Sequence, residues 1–249
     1  VRLDELSSPA LGALLSGERP VVALVPVGSV EPHGPHLPLG TDTILGEGAA
    51  RRAVSKLASL GVEALLAPSV PYGVTDFAAG FPGAVSVPRD VLASMLRAVV
   101  VGLVRAGFAH VCLVSNHLEP AHDQAVRESI EGLPEASVAS PLTRRHARTL
   151  SDEFKSGACH AGEYETSLVL AERPELVDRG KAASLPALDV SLAAGIREGL
   201  SSFRAMGLTQ AYTGAPARAS EAEGEAQYDK LADMIVLEVR EGLARTAPR

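Results

Sequence analysis

The chain alternates short runs of uncharged, often β-branched residues with longer stretches in which apolar positions recur every three or four residues. Residues 21–27, Val-Val-Ala-Leu-Val-Pro-Val, carry no charge and read as a strand buried on both faces. Ser8 and Pro9 suit an N-cap and first helical position, which opens a short helix toward Gly17. Residues 42–60 have helical spacing and stop at Gly61, after which 62–70 turns apolar again as a second strand. The rhythm repeats with a helix over 88–106 ending at Gly107, then a strand over 110–115 with Cys112 inside it. A helix over 120–133, with Pro120 in its first turn, and a fourth strand over 136–142 follow. Past Gly162 the pattern predicts a helix over 163–173, a loop over 178–186 and a last long helix over 221–243. No repeat or low-complexity linker interrupts it. The expected architecture is therefore one domain over residues 1–249, a three-layer α/β/α sandwich on a mainly parallel sheet.

Composition narrows the function classes. With 249 residues, 46% of them hydrophobic, one large core is within reach. A formal net charge of -7 offers no attraction to nucleic acid or to an anionic membrane surface, so neither is an expected partner. The apolar stretch 98–104 lies between Arg97 and Arg105 and is too short to span a bilayer. Residues 1–20 lack the basic start and apolar run of a secretory signal, and the only two cysteines, Cys112 and Cys159, make no disulfide framework. A cytoplasmic setting with reduced thiols is the expectation. With no Trp and 4% aromatic residues, any substrate pocket is expected to be aliphatic and polar.

Polar chemistry concentrates after the predicted strands, where open parallel sheets collect their ligands. Residues 28–42 read Gly-Ser-Val-Glu-Pro-His-Gly-Pro-His-Leu-Pro-Leu-Gly-Thr-Asp. Carboxylate and imidazole are ligand types for zinc and manganese, and Glu31 and His33, two apart, can face one side of an extended segment. Asp42 can bridge two ions or simply cap the next helix. Residues 116–123, Asn-His-Leu-Glu-Pro-Ala-His-Asp, repeat the spacing with His117 and Glu119. His122 and Asp123 read instead as first-turn helix residues, His36 taken alone reads as a turn histidine bonded to backbone, and His110 and His146 have no partner pattern. A third segment, Cys159 to Ser167, offers His160 as general acid/base, because a leaving nitrogen needs a proton, and Glu165 as a group orienting water or ligands. The chain contains no Gly-x-Ser-x-Gly elbow, no phosphate-binding loop ending in Gly-Lys and no His-Glu-x-x-His motif. A Cys159 nucleophile leaves the acidic clusters unexplained.

These motifs resemble the creatininase (creatinine amidohydrolase) family. The resemblance rests on Val25 to Asp42, Phe81-Pro82-Gly83, Asn116 to Glu119, His160 to Ser167 and, more weakly, the region near Gly214. It implies an α/β/α sandwich assembled as a homohexamer, with two divalent ions per chain, zinc and/or manganese. It further implies Glu31 and His117 on one ion, His33 and Glu119 on the other, Asp42 between them, and His160 as proton carrier. The implied reaction is cleavage of a small-molecule amide C–N bond (cyclic amide, formamide or small peptide) by a metal-bridged water. Leu118, Ser156 and Cys159 stand where creatininase proper has Tyr, Trp and Glu, so a substrate other than creatinine is expected. Alternatives are a peptidase of a modified precursor peptide in mycofactocin assembly, a formamide hydrolase, or a non-catalytic metal-binding module.

Overall fold

The computed structural model describes residues 1–246. Four strands, Val21–Val27 (β1), Glu63–Leu66 (β2), His110–Ser115 (β3) and Ala136–Ala139 (β4), form a sheet in the order β2-β1-β3-β4. Every pair is parallel. The helices are Ser8–Leu15 (α1), Thr41–Ser59 (α2), Arg89–Arg105 (α3), Pro120–Ser129 (α4), Arg144–Ala147 (α5), Asp152–Ser156 (α6), Glu163–Glu172 (α7), Arg179–Ser184 (α8), Leu192–Arg197 (α9) and Glu221–Thr246 (α10).

Side chains alternate across a strand, and here the alternation sorts the core into two layers. Val22 and Leu24 of β1, with Cys112 and Val114 of β3, pack under α2, α7 and α10. Val21, Ala23, Val25 and Val27, with Val111 and Leu113, pack under α3 and α4 on the other face. Because β1 pairs with β2 on one side and β3 on the other, all seven of its residues are buried. The predicted three-layer sandwich is what forms. No helix among the described residues is long and apolar enough to cross a membrane.

Several predicted boundaries move. The strands expected over 62–70 and 136–142 are cut to β2 and β4, consistent with Pro68 and Pro141, which cannot donate to a ladder. The α1 cap is Ser7, whose hydroxyl accepts the Ala10 N–H at 3.4 Å. The helix expected over 120–133 stops at Ser129, ahead of the left-handed Gly132 at φ 75°. The expected loop over 178–186 contains α8, whose N-cap Asp178 accepts the Lys181 N–H at 2.9 Å.

From β1 the chain first builds β2 on one flank, then crosses through α3 to β3 on the other. The carboxyl ends of β1 and β3 are therefore a topological switch point, where successive connections diverge and leave a crevice. Residues 28–42 leave β1 there, and residues 116–119 leave β3 beside them.

Candidate metal centre

The crevice brings Glu31, His33, Asp42 and His117 together, all but fully buried. The alignment of Val27 with Ser115 in the sheet sets the two loops side by side, and Asp42 enters from the first turn of α2. The His117 Nε2 lies 2.7 Å from the Val74 carbonyl, which can only accept, so that nitrogen carries the proton. Its other nitrogen, Nδ1, then faces Asp42 Oδ2, 3.1 Å away, and Glu31 Oε1, 3.3 Å away. His33 repeats the arrangement. Its Nδ1 donates to the Glu31 carbonyl at 3.2 Å, and Nε2 faces Asp42 Oδ1 at 3.5 Å, Glu165 Oε2 at 3.6 Å and Glu31 Oε1 at 3.8 Å.

Three sets of donor atoms are close enough to hold an ion: Glu31, Asp42 and His117; His33, Asp42 and Glu165; and Glu31, His33 and His160. Asp42 divides its two oxygens between His117 and His33. Ser29 donates to Asp42 Oδ2 at 2.6 Å, and the Thr75 hydroxyl donates to Glu31 Oε2. Hydroxyls so placed hold each carboxylate in one orientation.

Glu119 and Glu165 exchange the positions expected of them. Glu119, the N-cap of α4, turns its oxygens to the backbone N–H groups of Asp76 at 3.0 Å and Phe77 at 3.2 Å and belongs to none of the three sets. Glu165 reaches back from the first turn of α7 to accept the Ala161 N–H at 2.7 Å, which brings it beside His33. Ala161 itself sits at φ 50°, a left-handed conformation that costs an L-residue about 1–2 kcal/mol, so the surrounding packing has to hold it there.

The electrostatics follow from burial and from these neighbours. Burial lowers the proton affinity of His33, yet Asp42, Glu165 and Glu31 outweigh it and raise its pKa to about 10. His117 is likewise driven well above its ordinary value against the pull of burial, by Glu31 and Asp42. For Glu31, burial pushes upward and His117 overrides it, leaving about 2. A raised imidazole pKa reports how strongly a site attracts positive charge, whether as a proton or as a metal ion. Burial pushes Asp42 upward too, but His117 and His33 override it and hold it well below the ordinary carboxylate range, whereas in Glu119 and Glu165 burial prevails and raises them to about 7 and about 8.

His160 lies at the edge of the cluster with Nε2 3.1 Å from the Pro32 carbonyl, and burial together with His33 lowers its pKa to about 4. It opens on a cavity of about 710 Å³ whose lining includes Glu31, Asp42, His117, Glu119 and Glu165. The cavity's apolar wall carries Leu118, Phe154, Leu192, Ile196 and Phe203. An aromatic contribution from Phe77, Phe154 and Phe203 was not expected from a chain this poor in aromatic residues, and neither was the pairing of Thr75 with Glu31. No sequence motif marks these residues. Cys159 also lines the cavity, but burial beside Glu165 and Glu153 drives its thiol well above the ordinary range, which disfavours a thiolate nucleophile. His36 bonds Thr166 at 2.9 Å, His146 bonds Glu238 at 2.9 Å, and His122 and Asp123 lie in the first turns of α4, as expected.

Comparison with known proteins bears on the fold and on the family. The creatininase family model, described as creatinine amidohydrolase, matches residues 4–239. The mycofactocin precursor peptide peptidase of Mycolicibacterium smegmatis is 32% identical over 211 residues, 82% of this chain and 78% of that protein. The creatinine amidohydrolase of Pseudomonas putida is 25% identical over 185 residues, 66% of this chain and 69% of that protein. A crystal structure of creatinine amidohydrolase superposes with a TM-score of 0.74 at 21% identity, covering 100% of this chain and 99% of the other. A manganese form of creatininase gives 0.73 at 22% identity, over 97% and 98%. These likenesses bear on the fold, and the family match bears on ancestry over nearly the whole chain. The protein belongs to the creatininase family.

Proposed function

We propose that the protein is a metal-dependent hydrolase of an amide C–N bond, with two divalent ions, zinc and/or manganese, as its cofactors. Glu31, Asp42 and His117 would hold one ion, and His33, Asp42 and Glu165 the other, with Asp42 shared. The observation that carries this reading is the paired tautomer arrangement. Two buried imidazoles each donate one N–H to a backbone carbonyl and turn the opposite nitrogen onto carboxylate oxygens. Each of these contacts holds a positive charge between nitrogen and carboxylate oxygen, a proton or a metal ion in its place, and nitrogen plus carboxylate oxygen is a donor set that zinc and manganese accept. Among the described residues the buried His33 Nε2 has no hydrogen-bond partner, which suits a ligand nitrogen.

Bound ions of this kind supply electrophilic activation of the amide carbonyl and of the attacking water. The chain's own groups do the rest. His160, held through Nε2 to the Pro32 carbonyl, keeps Nδ1 unprotonated and able to take a proton and return it to the leaving nitrogen. Glu119, fixed by two backbone N–H groups, presents its carboxylate to the cavity and orients the substrate amide. Leu118, Phe154, Ile196 and Phe203 keep bulk water from the reacting atoms.

A peptide is the better supported substrate class. The cavity is far larger than a single small ring fills, and relatives 29–32% identical over 78–90% of their length are named for a precursor peptide. Self-association is also part of this proposal, supported by the exposed apolar stripe Val91, Met95 and Val99 on α3. Metal analysis followed by a substrate panel of creatinine, formamides and short peptides tests the reading. The expected result is about two divalent ions per chain with peptide hydrolysis that chelation abolishes. Full activity in a chelated, metal-free sample overturns it, and a metal-replete protein inert toward the whole panel favours a binding module.

A further inference from the structure

One neighbour of His160 does more than line the cavity wall. A hydrogen bond from Nε2 to the Pro32 carbonyl fixes one atom of the imidazole but not the plane of its ring. That plane is set by Phe203, whose ring stacks on His160 with centroids 4.4 Å apart and planes 27° apart. His33 lies 4.4 Å away, tilted by 40°, and completes the frame. In this orientation Nδ1 makes no hydrogen bond among the described residues. It stands 4.0 Å from Glu31 Oε1 and 3.9 Å from Glu165 Oε2, beside the donor atoms of the cluster.

Phe203 is itself immobilised. It is 3% exposed and sits in a small apolar cluster with Ala78, Leu208 and Ala211. Its N–H donates to the Phe77 carbonyl at 2.9 Å, and its ring meets those of Phe77 and Phe81 at 6.3 and 6.5 Å. Phe77 in turn gives its own N–H to Glu119 Oε2. One residue, Phe77, thus ties the segment that orients His160 to the segment that anchors Glu119.

We propose that Phe203 is a positioning residue: its stacked ring and its backbone bond to Phe77 hold the imidazole of His160 and the carboxylate of Glu119 in fixed relative orientation. The proposal rests on the proton-transfer role given to His160 above. A flat stack restrains ring rotation in a way that an aliphatic side chain of similar bulk does not, and small misplacements of a catalytic group cost large factors in rate.

The test compares Phe203→Leu, Phe203→Met and Phe203→Tyr in the metal-loaded protein, with melting temperature and metal content measured for each. Leu and Met keep apolar bulk without the flat face, and Tyr keeps the face. For the Leu and Met variants we expect kcat to fall by about 10- to 100-fold with KM and metal content nearly unchanged, and Tyr to restore most of the rate. Adding Phe203→Leu to a His160→Gln background should cost nothing further, because the substitution removes the stack on the imidazole and keeps the backbone bond to Phe77 that leads to Glu119. A second readout needs no turnover: carbethoxylation of His160 by diethyl pyrocarbonate, followed by peptide mass spectrometry, should run several-fold faster in the Leu variant. Unchanged kcat and unchanged labelling in Leu or Met overturn the proposal, as does an equal loss in the His160→Gln background. If the wild-type chain hydrolyses nothing on the panel, the functional reading fails while the labelling rates still decide the role of Phe203.

Discussion

Strand β3 carries a buried histidine at either end, and the two ends of this one strand behave oppositely. His110, its first residue, bonds through Nε2 to the Ser137 hydroxyl at 2.8 Å, and burial and Arg245 lower its pKa to about 4. His117, two residues past the strand, is as deeply buried and is driven the other way by Glu31 and Asp42. Burial penalises the charged imidazole at both places. What differs is the company. At the amino end β3 lies between other strands, and a hydroxyl meets one nitrogen of the ring while Nδ1 has no partner among the described residues. At the carboxyl end two loops diverge and bring in carboxylates that a packed interior would not tolerate unpaired. A parallel sheet therefore separates a neutral, structural end from an end built to hold positive charge.

Removing the charge at the active end breaks the contrast most severely. Asp42→Asn should eliminate the shared ligand, reduce bound metal below one ion per chain and lower kcat by about 10³-fold, a loss read by metal analysis and steady-state kinetics. Next comes the pair of acids that exchanged positions. Glu165→Gln should lose one ion together with activity. Glu119→Gln should keep both ions and lose about 100-fold in kcat, the scale of a misplaced proton-transfer or orienting group. Metal loss in the Glu119 variant would return that residue to the ligand set that family resemblance implies.

That exchange marks the limit of what the sequence discloses. The strands, the order of βα units and the residues of both loops are legible because periodicity and residue type encode them. Glu31 and His33 also come out as neighbours, since side chains two apart share a face in extended backbone. The same rule applied to His117 and Glu119 fails, because Glu119 is already the N-cap of α4 and its oxygens find the N–H groups of Asp76 and Phe77, some 40 residues earlier. Glu165 reads in sequence as a group orienting water or ligands, with nothing to say that it reaches the donor atoms themselves. The left-handed turn at Ala161 folds it back into the cluster, and no local pattern announces a left-handed alanine. Phe203 and Thr75 reach the site through tertiary packing alone.

The outer contacts give a smaller effect. Thr75→Val removes the hydroxyl that holds Glu31 Oε2 and should weaken metal affinity by about 10- to 100-fold, measured by competition with a chelator, while leaving stability without metal nearly unchanged.

The quiet end of β3 gives the last test, one that has no effect at neutral pH. The pKa of His110 is near 4 in the fold against an ordinary 6.5, so the unfolded chain binds its proton more readily. Its contribution to stability is complete above pH 6.5, is lost as pH falls through that value, and flattens below pH 4. The slope is about 1.4 kcal/mol per pH unit, giving at most about 3 kcal/mol over the window. Carboxyl groups titrate in the same range, so the informative quantity is the difference between wild type and His110→Gln in urea unfolding. The wild type should lose the extra stability between pH 6.5 and 4, and the variant, with an amide that still reaches Ser137, should not. Parallel curves would mean that burial and Arg245 do not hold the His110 pKa below its ordinary value.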